Sequence, residues 1–450
     1  MTSTMLEPNS IEPPKDMKTF FIIWGGQLVS MLGSGLTQFA LGVWIYDQTK
    51  QATPFAIAVL FGSLPRIFLL PIAGSIADRF NRRKIMIAAD VLSAVLTLAI
   101  FLLLGAGGLQ QWHIYIFAML GSVLSAFQEP AYTASIAMIV PKEKLGSANG
   151  MAQMGQAISS VLTPVMAGAL FVFIGFNGII FIDFVTFFFA ITALLFVRIP
   201  QPERAAEHKD KNIWQDMQFG WNFLYERKGL LGLLLYYAMV NFLLNWSAVL
   251  LIPMVLSRFT ADVLGMIQTV MGVGMLAGSI IMSAWGGAKK RIPTAIGFIT
   301  IAVTGIVIAG LQPNPWLIGA GLFILMFSVP LASGNSQVVF QTKVPREIQG
   351  RVFSVRSTIS QSMMPLAFLT AGPLADKFFE PLMRDGGALA NTFIGQVIGT
   401  GAGRGIGLMA ILAGLVGIIV SIFVYLNPRV RNLEDELPDA IPTEEKAAQT

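Results

Sequence analysis

The sequence predicts an all-α polytopic membrane protein with twelve transmembrane helices in two pseudo-symmetric bundles of six. Three observations carry this expectation. Of 450 residues, 54% are hydrophobic and 12% charged, with a mean hydropathy of +0.68, unlike a soluble chain of this length. Apolar windows of about twenty residues, each able to cross a hydrocarbon core of roughly 30 Å, recur from end to end. Short segments also return at a constant offset of 204 residues. Ala73-Gly74-Ser75-Ile76 reappears as Ala277-Gly278-Ser279-Ile280, Val140-Pro141-Lys142-Glu143 as Val344-Pro345-Arg346-Glu347, and Ala167-Gly168-Ala169-Leu170 as Ala371-Gly372-Pro373-Leu374. Three matches at one offset imply two parallel six-helix repeats.

Taken in order, residues 1–18 form a polar tail with no basic n-region or small-residue cleavage site, so no signal peptide is expected. Residues 19–198 hold the first bundle, with spans near 19–46, 54–78, 84–104, 112–140, 145–174 and 177–198. Residues 199–228 are the longest connection on the basic side and tether the two halves. Within it Ile213, Trp214, Met217, Trp221 and Leu224 recur at helical spacing, which predicts an amphipathic helix, lying either on the membrane surface or as a linker helix packed on the bundle. The second bundle, 229–426, has spans near 229–257, 263–286, 292–311, 315–341, 348–376 and 404–426. The Gly-rich segment from Phe378 to Gly403 reads as a loose loop. Residues 427–450 form a second tail, of which Leu433 to Thr450 is acidic and Pro-containing and is expected to be disordered.

Twelve Lys and Arg lie in the loops on one side, between Arg79 and Arg351, against five on the other, Lys50, Arg258, Lys377, Arg384 and Arg404. The positive-inside bias places the basic side, and with an even span count both termini, in the cytoplasm. The formal charge of +5 is thereby explained as a topology signal, and nucleic acid is not an expected partner. There is no cysteine, so disulfides and thiolate chemistry are excluded. His113 and His208 are too far apart to suggest a metal site, and no cofactor is expected.

The densest charge lies between spans two and three, from Gly74 to Lys84. Gly74 lets two helices approach closely, Asp78 stands where the apolar run ends, and Arg79, Arg82, Arg83 and Lys84 follow within six residues. This spacing resembles the loop G-x-x-x-D-R-x-G-R-R/K of the major facilitator superfamily. Asn81 replaces its glycine, and its tolerance of a left-handed backbone keeps a tight turn there plausible. From Gly150 a second pattern, Gly150, Ser159, Thr163, Pro164, Ala167 and Gly168, is similar to the family's antiporter motif on span five, with small residues for three glycines. The Pro-x-Glu loops after spans four and ten resemble the branch containing macrolide and siderophore exporters. The resemblance implies two bundles that rock about a central site. It also implies a gate at Gly74, Asp78, Arg79, Arg82 and Arg83.

Setting loops and tails aside, five charges lie within spans: Arg66, Asp90, Glu129, Asp183 and Arg356. Such groups are costly in hydrocarbon unless they are paired or face water. Arg66 falls roughly 18 Å into span two, near the midplane. Glu129 precedes Pro130 on span four, which in the family lines the cavity, so Glu129 is the first candidate proton carrier and Arg66 its partner. A static Arg66–Glu129 pair is the competing reading. Asp183 is a second proton candidate. Asp90 is expected to pair with Arg82 or Arg83. On the helices that the resemblance places around the cavity, Gln27, Gln38, Asn241, Asn245, Trp246, Asn335, Gln337 and Gln341 are candidate substrate contacts. Each has an interhelical hydrogen bond as its alternative role.

No G-x-x-x-x-G-K-[ST] loop is present, so ATP hydrolysis and an enzymatic role are not expected. Gly372 to Lys377 repeats the Gly74 spacing on the side with few bases and reads as a coincidence. The expected function is a secondary transporter of a bacterial inner membrane, working as a monomer, that exports an amphipathic or hydrophobic small molecule in exchange for protons. The competing expectations are a lysophospholipid flippase, an uptake symporter, and a non-transporting membrane sensor or assembly partner.

Overall fold

The computed structural model describes residues 17–141, 144–197, 199, 213–345 and 348–438. The first half contains α1 (Met17–Thr49), α2 (Ala52–Arg79), α3 (Arg82–Gly105), α4 (Gln111–Ile139) and α5 (Leu145–Phe196). A linker helix α6 (Ile213–Glu226) precedes α7 (Lys228–Leu256), α8 (Ala261–Trp285), α9 (Arg291–Leu311), α10 (Pro315–Lys343) and α11 (Gln349–Leu374). A single π turn, Ala375–Phe379, leads into α12 (Glu380–Met383), α13 (Phe393–Ile398), α14 (Arg404–Leu426), α15 (Pro428–Arg431) and α16 (Leu433–Glu436).

Ten of these helices are long and apolar enough to cross a membrane. The 52-residue α5 supplies two crossings, because Gly175 adopts φ 64° inside it, a left-handed conformation that glycine takes without steric penalty. The expected division between spans five and six falls there. Helix α11, at 26 residues, is long enough for a further crossing, consistent with the expected twelve, but carries too many polar groups to register by hydropathy.

Local sequence explains several termini. Asn81 does not take up a left-handed turn; its φ is −65°. Its side chain instead accepts the Lys84 N–H at 3.1 Å and caps α3. Arg83 donates to the Leu194 and Leu195 carbonyls at 2.7 and 2.8 Å, securing the basic end of α5. Helix α6 packs on α11 and α7, burying Phe223 and Leu224, while Trp221 and Tyr225 stay exposed.

Two segments expected to be loose are ordered over their described residues, 378–403 and 433–438. After α14, Val430 and Leu433 are buried, and Glu434 accepts the Arg291 and Ile292 N–H groups at 3.1 and 2.9 Å, capping α9. Lys343, counted in a loop by its charge, is buried and donates to the Glu434 carbonyl at 2.6 Å. Acidic composition suggested disorder, but one carboxylate placed at a helix N-terminus is enough to dock the segment. At the other end, Glu380 accepts the Gly403 and Ile406 N–H groups at 3.1 and 3.0 Å and so holds the start of α14. Burial raises its carboxyl above the ordinary range, against the lowering effect of those two donors. Arg404, counted as a loop base, is 2% exposed and donates to the Gly310 and Leu311 carbonyls at 2.6 and 3.1 Å, closing the last turn of α9.

Among the described residues the halves meet chiefly through α5 with α8 and α2 with α11, and through smaller contacts of α7 with α1 and α2. The close approaches use small residues. A methyl group added at Gly265 would lie 2.6 Å from the Pro164 carbonyl oxygen and 3.1 Å from Gly168 Cα. One added at Gly272 would lie 2.9 Å from the Ser160 carbonyl, and one at Gly372 would lie 2.6 Å from Thr53 Cα. All of these contacts lie between the middle of the molecule and the end away from the basic loops, hereafter the far end.

Candidate functional site

The close approaches between the halves named above lie away from the basic end, and toward that end α4 and α11 carry polar residues that remain exposed. On α4 these are Ser125, Glu129 and Thr133, spaced four apart on one face. On α11 they are Ser357, Thr358, Gln361 and Ser362. Exposed polar groups at membrane depth are stable only against water, so these faces border a wet cleft between the halves. The polar face of α11 is also what lowered its hydropathy.

In the first half, Arg66 Nη2 donates to Glu129 Oε2 at 2.5 Å, joining α2 to α4, with the two side chains 50% and 52% exposed. The Ser122 hydroxyl, itself buried, accepts the Arg66 backbone N–H at 3.2 Å and fixes the register of the two helices. The pair expected from sequence is therefore formed, and it is open to the cleft rather than sealed. In the second half, Arg356 donates to Gln337 Oε1 at 2.8 Å and lies over the Phe340 ring at 4.2 Å. Among the described residues it has no carboxylate partner.

Two other carboxylates lie deeper. Asp90 is 1% exposed and does not pair with Arg82 or Arg83. It accepts from Gln27 Nε2 at 3.0 Å and Gln128 Nε2 at 2.6 Å, while Gln128 also donates to Gln27 Oε1 at 3.2 Å. Arg82 turns away to the Ala134 carbonyl at 3.0 Å. Asp183, also 1% exposed, accepts from the Ser34 and Thr97 hydroxyls at 3.3 Å each. Gly33 makes room for it, since a methyl there would lie 2.9 Å from Asp183 Oδ1. Amide and hydroxyl donors thus satisfy both acids without a cation, an arrangement that sequence distance concealed.

The remaining candidates divide. Gln38 and Gln341 are exposed. Gln27 is engaged with Asp90, and Gln337 with Arg356. Asn335 is fully buried inside the second half, accepting the Ala288 N–H at 3.0 Å and donating to the Leu331 carbonyl at 2.8 Å; it braces the α8–α9 connection and does not reach the cleft. Asn241, Asn245 and Trp246 line a cavity of about 250 Å³ within the second bundle, among α7, α8, α9, α10 and α14. Asn245 there bonds its own helix, at the Asn241 carbonyl, and Trp246 Nε1 and Ser247 Oγ are buried without a partner.

On α5, Ser159 and Thr163 hydroxyls lie 3.1 Å apart, and Thr163 packs against Gly35 of α1, where a methyl would meet Thr163 Cγ2 at 2.7 Å. Pro164 and Gly168 face Gly265 of α8 across the divide. Gly150 lies in the first turns of α5. Gly74, Asp78 and Arg79 lie in the last turns of α2. The side chains of Asp78 and Arg79 are outside the described residues.

The family model of the Major Facilitator Superfamily matches residues 23–368. The chain is 32% identical over 371 residues to the Macrolide efflux protein A of Streptococcus pyogenes, covering 80% of this chain and 89% of that protein. It is 25% identical over 367 residues to the Multidrug efflux pump Tap of Mycolicibacterium fortuitum, covering 78% and 87%. Its fold matches the crystal structure of a bacterial homolog of the human lysosomal transporter Spinster with a TM-score of 0.68, at 14% identity, over 94% of this chain and 98% of that one. With the nucleoside transporter NupG the TM-score is 0.67, at 10% identity, over 90% and 99%. Two six-helix halves, a cleft between them and a family match over most of the sequence lead to one assignment: the chain belongs to the major facilitator superfamily.

Proposed function

We propose that this transporter expels an amphipathic or hydrophobic small molecule, macrolide-like in size and polarity, from a bacterial cell by exchange with protons. The observation that carries the reading is the Arg66–Glu129 pair, an ion pair at membrane depth whose carboxylate reaches water through the cleft. The names of the relatives, macrolide and multidrug efflux proteins, supply the substrate class and direction. With the basic end in the cytoplasm, as the loop charges favour, the cleft faces inward and receives substrate from the cytoplasm or the inner leaflet. Its described faces, with the half-exposed Arg66–Glu129 pair and the exposed hydroxyls and amide of α4 and α11, suit such a substrate.

The proton exchange is assigned to Glu129. While ionised it is held by Arg66; a cationic or polar substrate entering the cleft competes for the same carboxylate, and a proton neutralises it when the far end opens. Arg66 returns Glu129 to its charged form. Each half moves as a body, and the small-residue contacts at Gly168, Gly265 and Gly272 are the surfaces that separate. Substrate class is tested with everted vesicles from cells that produce the protein, energised by a proton gradient. Uptake of a labelled macrolide, lost when the gradient is collapsed, is the expected result. Uptake of lysolipids alone, or uptake that ignores the gradient, contradicts the proposal.

A further inference from the structure

At the far end, α2 begins without a cap of its own. Gln51 occupies the N-cap position but makes no side-chain hydrogen bond there. The acceptor comes instead from the other half, some 320 residues along the chain. Asp376, in the π turn that continues α11, accepts the Ala52 N–H at 2.9 Å through Oδ1. Through Oδ2 it accepts the Thr53 N–H at 2.7 Å and the Thr53 hydroxyl at 2.5 Å. One turn earlier Gly372 allows the approach, since a methyl there would lie 2.6 Å from Thr53 Cα and 3.2 Å from Ala56 Cβ. The spacing Gly372-x-x-x-Asp376 is that of Gly74-x-x-x-Asp78, so the apparent coincidence in the sequence is a built contact: glycine brings α11 against α2, and aspartate caps it.

We propose that Gly372 and Asp376 form the latch that keeps the far end closed, and that withdrawing Asp376 from α2 is a required step in opening it. The inference rests on the alternating movement of the two halves. An N-cap supplied within one half stabilises every conformation equally, as Asn81 does for α3 and Asn314 for α10. A cap supplied across the divide exists only while the halves touch, and only such a differential contact shifts the balance between states. The bonds are charge-assisted, and the carboxylate sits at the positive end of a 28-residue helix, where it is most effective. When the far end opens, water replaces Asp376 at two backbone N–H groups.

The chain has no cysteine, so a single introduced thiol reports on opening. Ala261 is 8% exposed and lies at the α5–α8 contact, a different helix pair from the latch. An Ala261→Cys thiol is therefore labelled by a maleimide only when the whole far end opens. In purified full-length protein, Asp376→Asn and Gly372→Ala are expected to raise the labelling rate on the order of tenfold, the worth of a charged cap. Glu380→Gln weakens a carboxylate cap of the same kind inside one half and is expected to leave the rate unchanged. Unchanged labelling in both Asp376→Asn and Gly372→Ala overturns the latch, as does an equal rise in Glu380→Gln, which would mean general loosening. Should Asp376→Asn fail to fold, Gly372→Ala decides alone. The readout needs neither substrate nor protons, so it can fail while the efflux reading stands, and the reverse.

Discussion

Replacing Gly265 by alanine should bias the transporter toward the state open at the far end. The added methyl would lie 2.6 Å from the Pro164 carbonyl oxygen and 3.1 Å from Gly168 Cα, both backbone atoms of the opposite half, so no side-chain rotation relieves the clash. Overpacking by one methyl in a close-packed contact costs about 1–3 kcal/mol. The cost falls only on the conformation in which α5 and α8 touch. At about 2 kcal/mol the ratio of the two conformations changes roughly thirtyfold. The assay is electron–electron distance measurement between spin labels at Asn177 and Thr260, both exposed at the far end and on opposite halves. The wild type should give one short distance, and Gly265→Ala a major longer component. A folded Gly265→Ala protein with the wild-type distribution would refute the view that this contact closes the far end.

Other outcomes follow from the same geometry. Glu129→Gln should leave thermal stability nearly unchanged, by less than about 1 kcal/mol, because the pair with Arg66 is half exposed and screened; a large fall in melting temperature would make it a structural pair. Asp90→Ala should destabilise the first bundle by roughly 2–4 kcal/mol, since the Gln27 and Gln128 amides lose a buried acceptor, whereas Asp90→Asn keeps the shape and one acceptor oxygen and should cost less; thermal unfolding in detergent compares them. Glu434→Ala should cost about 1 kcal/mol through the lost α9 cap and speed protease cleavage between residues 428 and 438, without altering far-end distances.

Much of the fold was legible because bilayer physics imposes a coarse pattern. Apolar windows, loop bases and the 204-residue repeat each follow from it, and the break at Gly175 fell between two expected spans. Single side chains were less legible. Asp90 was assigned to the nearest arginines in sequence, but a helix places neighbours three and four apart on one face and brings residues sixty or a hundred positions away into contact. The Arg66–Glu129 pair was readable because two opposite charges at similar depth on adjacent spans have few other partners. Asn335 and Trp246 were placed toward the cleft from their helix alone, while the face they occupy is set by packing within the second bundle. Gly372 and Asp376 were discounted by a loop count that sees only sidedness. A cap donated from one half to the other becomes visible only when both are assembled.

The most direct test of proton exchange is substrate-driven proton movement in proteoliposomes containing a pH-sensitive dye, for the wild type and Glu129→Gln, across macrolides, lipophilic cations, siderophores and lysolipids. A transported compound should release protons from wild-type vesicles, and Glu129→Gln should abolish that release while still binding the compound. Equal proton movement in Glu129→Gln would place the carrier elsewhere, with Asp183 next to be tested, and transport without any proton movement would contradict antiport itself.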